Sequence, residues 1–458
     1  MKLRLTACAT AFLVAATVPG YAGITAPTGE PLSSSNVELL ATIPTGTGVG
    51  GKFHKGYYFQ TTARMGGLIG SAPGSSGLLV FDVANPELPV LAAHLPLPHW
   101  QNEDVEIATK RNLLLISVQR WVPASGVTIP GALYVIDIAN PLVPTLVSRL
   151  EYPTTVGTSP EGTALGGPGH IANCVLDCKY VYVGGARDGA VHVVDLRKAD
   201  APKFIGKVKT PAGAPNEHYS PGVIHDVNVD GFRNVWMTGS GGTAMYAPIT
   251  NPLKPRLVAT VSPGDNARLN QLIHHGSLRF DKNTVLVGEE AFDAPTCGGP
   301  DGDEEAPQDG SLQTWRIDLK KKRLRPMDTY DTVGNDVPQS AFLVDCSSHW
   351  FDLNKHKVVA DAWYYNGVRF LDLANPKRMR PIGWYIGVNA MAGQTQYVPG
   401  RADLVYVADY NRGLDVIKIA NGGKGAKTQA EPLPQPAPTK ITFEPDPDFG
   451  YACPLPIA

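Results

Sequence analysis

The stretch Leu133-Tyr134-Val135-Ile136-Asp137-Ile138-Ala139-Asn140-Pro141, followed by the apolar run Thr145 to Leu150, decides the fold. It reads as strand, turn, strand: alternating β-formers, an Asn-Pro that sets a turn, then a second β-forming run. The phrase returns along the chain. Leu78 to Val83 leads through Ala84-Asn85-Pro86 into Val90 to Leu95, and Val368 to Leu373 leads into Ala374-Asn375-Pro376. Looser copies stand at Val191 to Leu196 with Pro202, at Met245 to Ile249 with Asn251-Pro252, and at Thr314 to Leu319; Leu414 to Ile419 begins another that lacks its second half. Such self-similarity marks a repeat architecture.

Two further candidate strands precede each phrase, such as His170 to Leu176 with Tyr180 to Gly184, and His225 to Val229 with Val235 to Thr238. Four short strands per unit is the content of a propeller blade. Outer-strand segments occur at Val37 to Ile43, Val90 to Leu95, Thr145 to Leu150, Lys203 to Val208, Arg256 to Val261, Leu324 to Thr329 and Met379 to Tyr385, and inner groups begin near Gly50, Glu103, His170, His225, His275, His349 and Gln394. The first segment has no inner group before it and the last inner group has no outer strand after it. Pairing the two predicts an all-β, seven-bladed propeller of four-stranded blades that leaves no open sheet edge.

Composition agrees with this and excludes much else. Forty-eight Gly and 40 Pro in 458 residues interrupt long helices, and 40 basic against 42 acidic residues leave no excess charge for nucleic acid or an anionic membrane surface. Met1 to Arg4 is basic, Leu5 to Val18 is apolar, and Gly20-Tyr21-Ala22 offers small residues for cleavage, so residues 1–22 read as a secretory signal peptide. No later run reaches the roughly 18–20 apolar residues of a transmembrane helix. The expected organisation is a signal at 1–22, a propeller at 23–420, and a Gly/Lys- then Pro-rich tail at 421–458. An exported monomer, periplasmic or extracellular, is expected. Five cysteines follow the signal, Cys174, Cys178, Cys297, Cys346 and Cys453; spacing alone leaves their pairing open, a local Cys174–Cys178 bridge being one choice.

Leu79-Val80-Phe81-Asp82, Tyr134-Val135-Ile136-Asp137 and Phe370-Leu371-Asp372 give the chain a resemblance to the LVIVD-repeat family of exported β-propellers, over about Val37 to Ile419. The resemblance implies a fold and no particular activity.

Read across the units, the entry to the innermost strand carries Glu103 and Asp104, then His170, His225, His274 with His275, His349, and finally Gln394 with Gln396. Five of 11 histidines fall in equivalent slots of four consecutive units, where a propeller brings strands together around one axis. Imidazoles converging there suit Cu, Fe, Zn or Ni. In this reading His170, His225, His275 and His349 are ligands with His274 outward or behind them, Glu103 or Asp226 orients an imidazole, and Arg187 or Tyr364 meets the substrate. The loops between second and third strands add Arg64, Arg120, Glu289, Glu290, Asp361, Tyr365, Tyr410 and Arg412 near the same mouth. Each residue also has an ordinary reading, since channel mouths are polar and wet, and Cys346 reads as a buried thiol or disulfide partner. The acidic run Asp301 to Glu305 reads as a solvated loop. No nucleotide fingerprint, phosphate loop or nucleophile elbow is present.

The expected function is a metal-dependent oxidoreductase, Cu or Fe being favoured and Zn the alternative. At the level of fold alone it resembles selenium-binding-protein-type methanethiol oxidases and carotenoid-cleaving oxygenases, which also gather histidines from several blades. The competing readings are a non-catalytic exported module that binds a small ligand or a surface partner at the mouth, and a metal-dependent hydrolase.

Overall fold

The computed structural model describes residues 30–62, 76–97, 105–120, 130–158, 162, 164–216, 219–261, 273–290, 310–332 and 347–429. The signal-peptide reading, Glu103, Asp104, Arg64, the acidic run at 301–305, Cys297, Cys346, Cys453 and the Pro-rich part of the tail lie outside these residues. Apart from the 3-10 turns Pro211–Gly213 and Ala420–Gly423, every described regular element is a β-strand.

The strands fall into consecutive antiparallel groups of four. The first is Gly48–His54, Tyr57–Thr62, Gly77–Asp82 and Val90–Pro96; the second is Val105–Ala108, Leu113–Val118, Ala132–Asp137 and Thr145–Glu151. The third is Ala172–Val175, Tyr180–Val183, Ala190–Asp195 and Lys203–Lys209; the fourth is Ile224–Val229, Val235–Gly239, Gly242–Tyr246 and Leu257–Thr260. The fifth is Ile273–Arg279, Thr284–Glu290, Leu312–Asp318 and Arg323–Tyr330, joined to the fourth through the Thr260–Arg323 pairing. The sixth is Phe351–Leu353, Val358–Ala362, Val368–Asp372 and Arg380–Ile386. In the seventh, Ala392–Tyr397, Leu404–Asp409 and Gly413–Ile419 take Val37–Ile43 from the other end of the chain as their outer strand, with Val37 opposite Ile419.

The repeated phrase makes its turn with side chains. Asp137 Oδ1 accepts from Ala139 N at 2.7 Å and Asn140 Oδ1 from Leu142 N at 3.2 Å; Asp82 and Asn85, and Asp372 and Asn375, repeat both bonds. These local acceptors compete with the sheet ladder and end the strand where the phrase predicts. The strand before the turn is buried on both faces because neighbouring groups pack on either side of it. Ala132–Asp137 is buried at all but its last position, whereas the outer strand Thr145–Glu151 is mixed. Phe59, Leu78 and Val80 pack with Leu114, Ile116 and Ile136 between the first two groups, and Tyr58, Leu79 and Phe81 pack with Leu404, Tyr406 and Val416 between the first and the seventh. Each such side chain contributes about 1.5–3 kcal/mol.

Three features were not anticipated or were left open. Leu32–Ser33 adds a fifth strand to the sixth group, and a small hairpin, Thr155–Thr158 with Ala164–Gly166, stands between the second and third groups. Cys174 and Cys178 form a disulfide. Among the described residues no helix is long and apolar enough to cross a membrane.

Candidate metal centre

His225 and His275 reach the interior through a slip in the ladder where the innermost strand begins. In the fourth group the register shifts between Ile224 and Asp226, so His225 is the extra residue; in the fifth it shifts between His274 and Gly276, so His275 is. A bulge re-aims the side chain it carries. The seventh group has the same slip at Gly393, between Ala392 and Gln394. The bulge therefore recurs between repeats and the imidazole does not. His170 leads into Ala172–Val175, and His349 enters the sixth group through its N–H, which donates to Ala362 O at 2.8 Å.

His170, His225, His275 and His349 are wholly buried and form an unbroken run. Ring centroids are 4.2 Å apart from His170 to His225, 4.2 Å from His225 to His275, and 4.1 Å from His275 to His349. His170 Nε2 lies 2.7 Å from His225 Nε2. Glu290, the last residue of Thr284–Glu290 and also wholly buried, stands among them. Its Oε2 is 3.5 Å from His225 Nε2 and 3.8 Å from His275 Nε2, and its Oε1 is 3.9 Å from His349 Nε2. One donor atom from each of His225, His275 and Glu290 lies within 4.8 Å of the others.

The surrounding contacts orient these groups. His349 Nδ1 donates to Gly393 O, which directs the basic Nε2 toward Glu290. The Gln119 amide meets His170 Nδ1, and the Tyr364 hydroxyl donates to Glu290 Oε1. Tyr364 holds a left-handed backbone, φ 43°, and stacks on His349 at 4.6 Å. A bulky residue at positive φ is uncommon and is held here by paired backbone bonds with Ala392. Trp350 closes the group against His275 at 4.7 Å. The backbone at Gly185, φ +89°, lies so near His170 that a Cβ would come within 2.5 Å of the His170 Cβ.

The other candidates are distributed around this group. His274 takes the opposite side of its strand: Thr243 Oγ1 contacts its Nδ1 at 2.6 Å, Glu289 Oε1 is 3.7 Å from its Nε2, and Trp315 lies 5.8 Å from its ring. Burial pushes its pKa down to about 3, so the ring is neutral. Asp226 is buried and accepts from Asn228 Nδ2 at 3.3 Å. Asp361 accepts from Ser348 Oγ, and burial raises its carboxyl to about 8. Tyr410 lies 6.4 Å from His349, and Arg412 is bound to Asp415 at 2.7 Å. Arg187 is half-buried, its guanidinium over the ring of Tyr219 at 5.1 Å. Sequence reasoning placed Glu290 among mouth residues only. The signal that singles it out is an acidic pair, Glu289-Glu290, ending a strand buried at all seven positions.

Among the described residues His225, His275 and Glu290 form a donor set that could hold a first-row transition metal. Metal–donor bonds of about 2.0–2.2 Å put neighbouring donors roughly 3–3.5 Å apart, and the separations around Glu290 are slightly wider.

Residues 129–151 and 392–423 match the LVIVD repeat, so the chain carries LVIVD repeats. No curated protein matches the sequence. Among solved structures, a Lactobacillus plantarum protein is similar at a TM-score of 0.57 and 10% identity, covering 82% of this chain and 96% of its own. The periplasmic gluconolactonase of Pseudomonas aeruginosa is similar at 0.54 and 14% identity, over 82% of this chain and 95% of its own. The Cps50 (Swd1) β-propeller domain of Myceliophteria thermophila is similar at 0.52 and 11% identity, over 83% and 99%. At these identities the likeness concerns the fold, which is that of a β-propeller.

Proposed function

We propose that the chain is an exported, seven-bladed propeller carrying one transition-metal ion, and that it is a Cu- or Fe-dependent oxidoreductase. The observation that carries this reading is the buried run His170, His225, His275 and His349 around Glu290. Converging four imidazoles and a carboxylate where no water reaches them is costly for a chain alone, and a bound cation offsets that cost. Closure of the ring is supported by the packing of the first group on the seventh and by the strand Val37–Ile43 in the last sheet. Export is supported by the N-terminal residues 1–22 and by the Cys174–Cys178 disulfide, which persists in oxidising compartments.

In this reading His170, His225, His275 and His349 would hold the ion, with Glu290 as the carboxylate ligand. A bound Cu or Fe supplies one-electron chemistry. The chain's own residues do the rest. Gly393 O fixes the tautomer of His349, and the Gln119 amide, its Nε2 against His170 Nδ1, holds the His170 ring in place. Tyr364 donates to Glu290 Oε1 and so orients the carboxylate, while Trp350 and Tyr364 pack against the imidazoles of His275 and His349. His274, neutral and tied to Thr243, supports the strand behind the site and is not a ligand. Glu103, outside the described residues, or Asp226 keeps the orienting role assigned from sequence.

Elemental analysis of the mature protein, produced by export without a histidine tag, tests the reading. Cu or Fe at about one per chain that is lost in a folded His225→Ala/His349→Ala variant is the expected result. Zn in the same place moves the reaction to hydrolysis. A wild type that takes up no metal, even on reconstitution, overturns the metalloenzyme and leaves the binding-module reading.

A further inference from the structure

We infer that the mouth beside His170 is an anion subsite, in which the Arg187 guanidinium receives a carboxylate or phosphate group of the substrate. The inference deepens the metal-centre reading by naming a substrate class, and rests on that reading only for the reaction that follows binding.

Arg187 is placed by the site itself. Gly185, two residues earlier, abuts His170, and Arg187 N donates to Gly166 O at 3.1 Å. The guanidinium lies over Tyr219, which packs with Val223 and Ile273. Val223 stands two residues before His225 and Ile273 two before His275, so this apolar cluster ties together the strands that deliver both imidazoles.

What distinguishes Arg187 is its electrostatic situation. Arg279 pairs with Asp230 at 3.0 Å, Arg412 with Asp415 at 2.7 Å and Arg401 with Glu87 at 2.8 Å. Arg187 has the Tyr219 ring and, among the described residues, no carboxylate. Its neighbour Asp188 is already engaged by Lys207 at 2.8 Å and His192 at 3.3 Å. Burial pushes the Arg187 pKa down, so the charge is held at a solvation cost that no carboxylate among the described residues offsets. An aromatic ring fixes the guanidinium plane, and a fixed guanidinium presents paired donors that match a carboxylate or a phosphate. The anion source is one with small planar or tetrahedral oxygens, carried on a substrate that enters beside His170.

Saturation-transfer NMR on the full mature protein tests the subsite, with benzoate, phenyl phosphate and the neutral benzamide as probes, each on metal-loaded and chelator-treated samples. Binding of benzoate or phenyl phosphate but not benzamide is expected, weakened about tenfold or more by Arg187→Gln and less by Arg187→Lys, since one charge-assisted bidentate contact is removed or kept in part. Preference for benzoate assigns a carboxylate substrate and preference for phenyl phosphate a phosphate. Both variants are compared with wild type by near-UV circular dichroism. Equal binding of benzamide, or anion binding indifferent to both Arg187 variants, overturns the subsite and makes Arg187 a cation–π prop. Arg187-dependent binding that persists in a protein found to hold no metal keeps the subsite while the metal reading fails; metal uptake with Arg187-independent anion binding does the reverse.

Discussion

Two arcs of the molecule share a backbone device and fill it differently. From the third group to the sixth, the entry to the innermost strand carries His170, His225, His275 and His349 around Glu290. In the seventh and first groups the same kind of slip falls at Gly393 and between Gly48 and Gly51, and the side chain that bridges them is the uncharged Gln394, whose Oε1 accepts from Gly51 N at 2.5 Å. The charges of the seventh group lie in a network complete within the chain. Asp415 accepts from Arg412 Nε, Tyr385 Oη and Thr42 Oγ1, each at 2.7 Å, and thereby ties the N-terminal strand to the last sheet. Charge matched by the chain's own groups serves cohesion. Nitrogen donors gathered on one carboxylate are the arrangement that an added cation would complete.

The sharpest way to break this contrast is to exchange one atom in the histidine arc. Glu290→Gln should lower the metal bound per chain at least about tenfold while leaving the sheets intact, because an anionic ligand is replaced by a neutral amide. Gln394→Ala, at the equivalent place in the other arc, should leave metal content unchanged. Mass-spectrometric metal analysis of both variants decides it, and full retention in Glu290→Gln would remove the carboxylate from the ligand set.

The converse change belongs to the seventh group. Asp415→Asn strands Arg412, which is 4% exposed against 1% for Asp415. The loss should be roughly 3–5 kcal/mol of stability, read by urea unfolding, with metal content unaffected. A loss under about 1 kcal/mol would mean that the network behaves like a surface ion pair.

The remaining effect is a pH dependence. Burial, with the Asp415 charge adding to it, pushes the Asp409 carboxyl up from its ordinary 3.8 to about 7. The folded state therefore holds this proton more tightly than the unfolded chain does. Its contribution to stability is present below about pH 4 and is lost as pH rises toward about 7. Asp409→Asn should flatten that part of the urea-midpoint profile, and an unchanged slope would place the titration elsewhere.

Strand order and turn positions could be read from the chain because they depend on local chemistry. Asp137 and Asn140 form their turn bonds within two residues, and apolar runs such as Leu113–Val118 bury whichever neighbours pack on them. The recurrence of histidine in four consecutive repeats was visible for the same reason: a repeat maps sequence period onto spatial equivalence. Glu290 was less visible, since it sits at the end of a second strand, and only the packing of the fifth group brings it among imidazoles from three groups. His274 and His275 are adjacent in sequence and opposite in environment, because the bulge at His275 assigns one ring to Glu290 and the other to Thr243 and Glu289.

The amino-acid order alone specified an all-β repeat, its turns, and the slots where histidine recurs, since β-propensity, Asx turns and repeat period act over a few residues. Tertiary structure alone decided which side chain at each slot faces which partner, that Cys178 bonds Cys174, and that Arg187 lies over Tyr219. Those choices turn on bulges and on contacts between groups far apart in sequence, where a shift of one residue reverses the face on which a side chain lies.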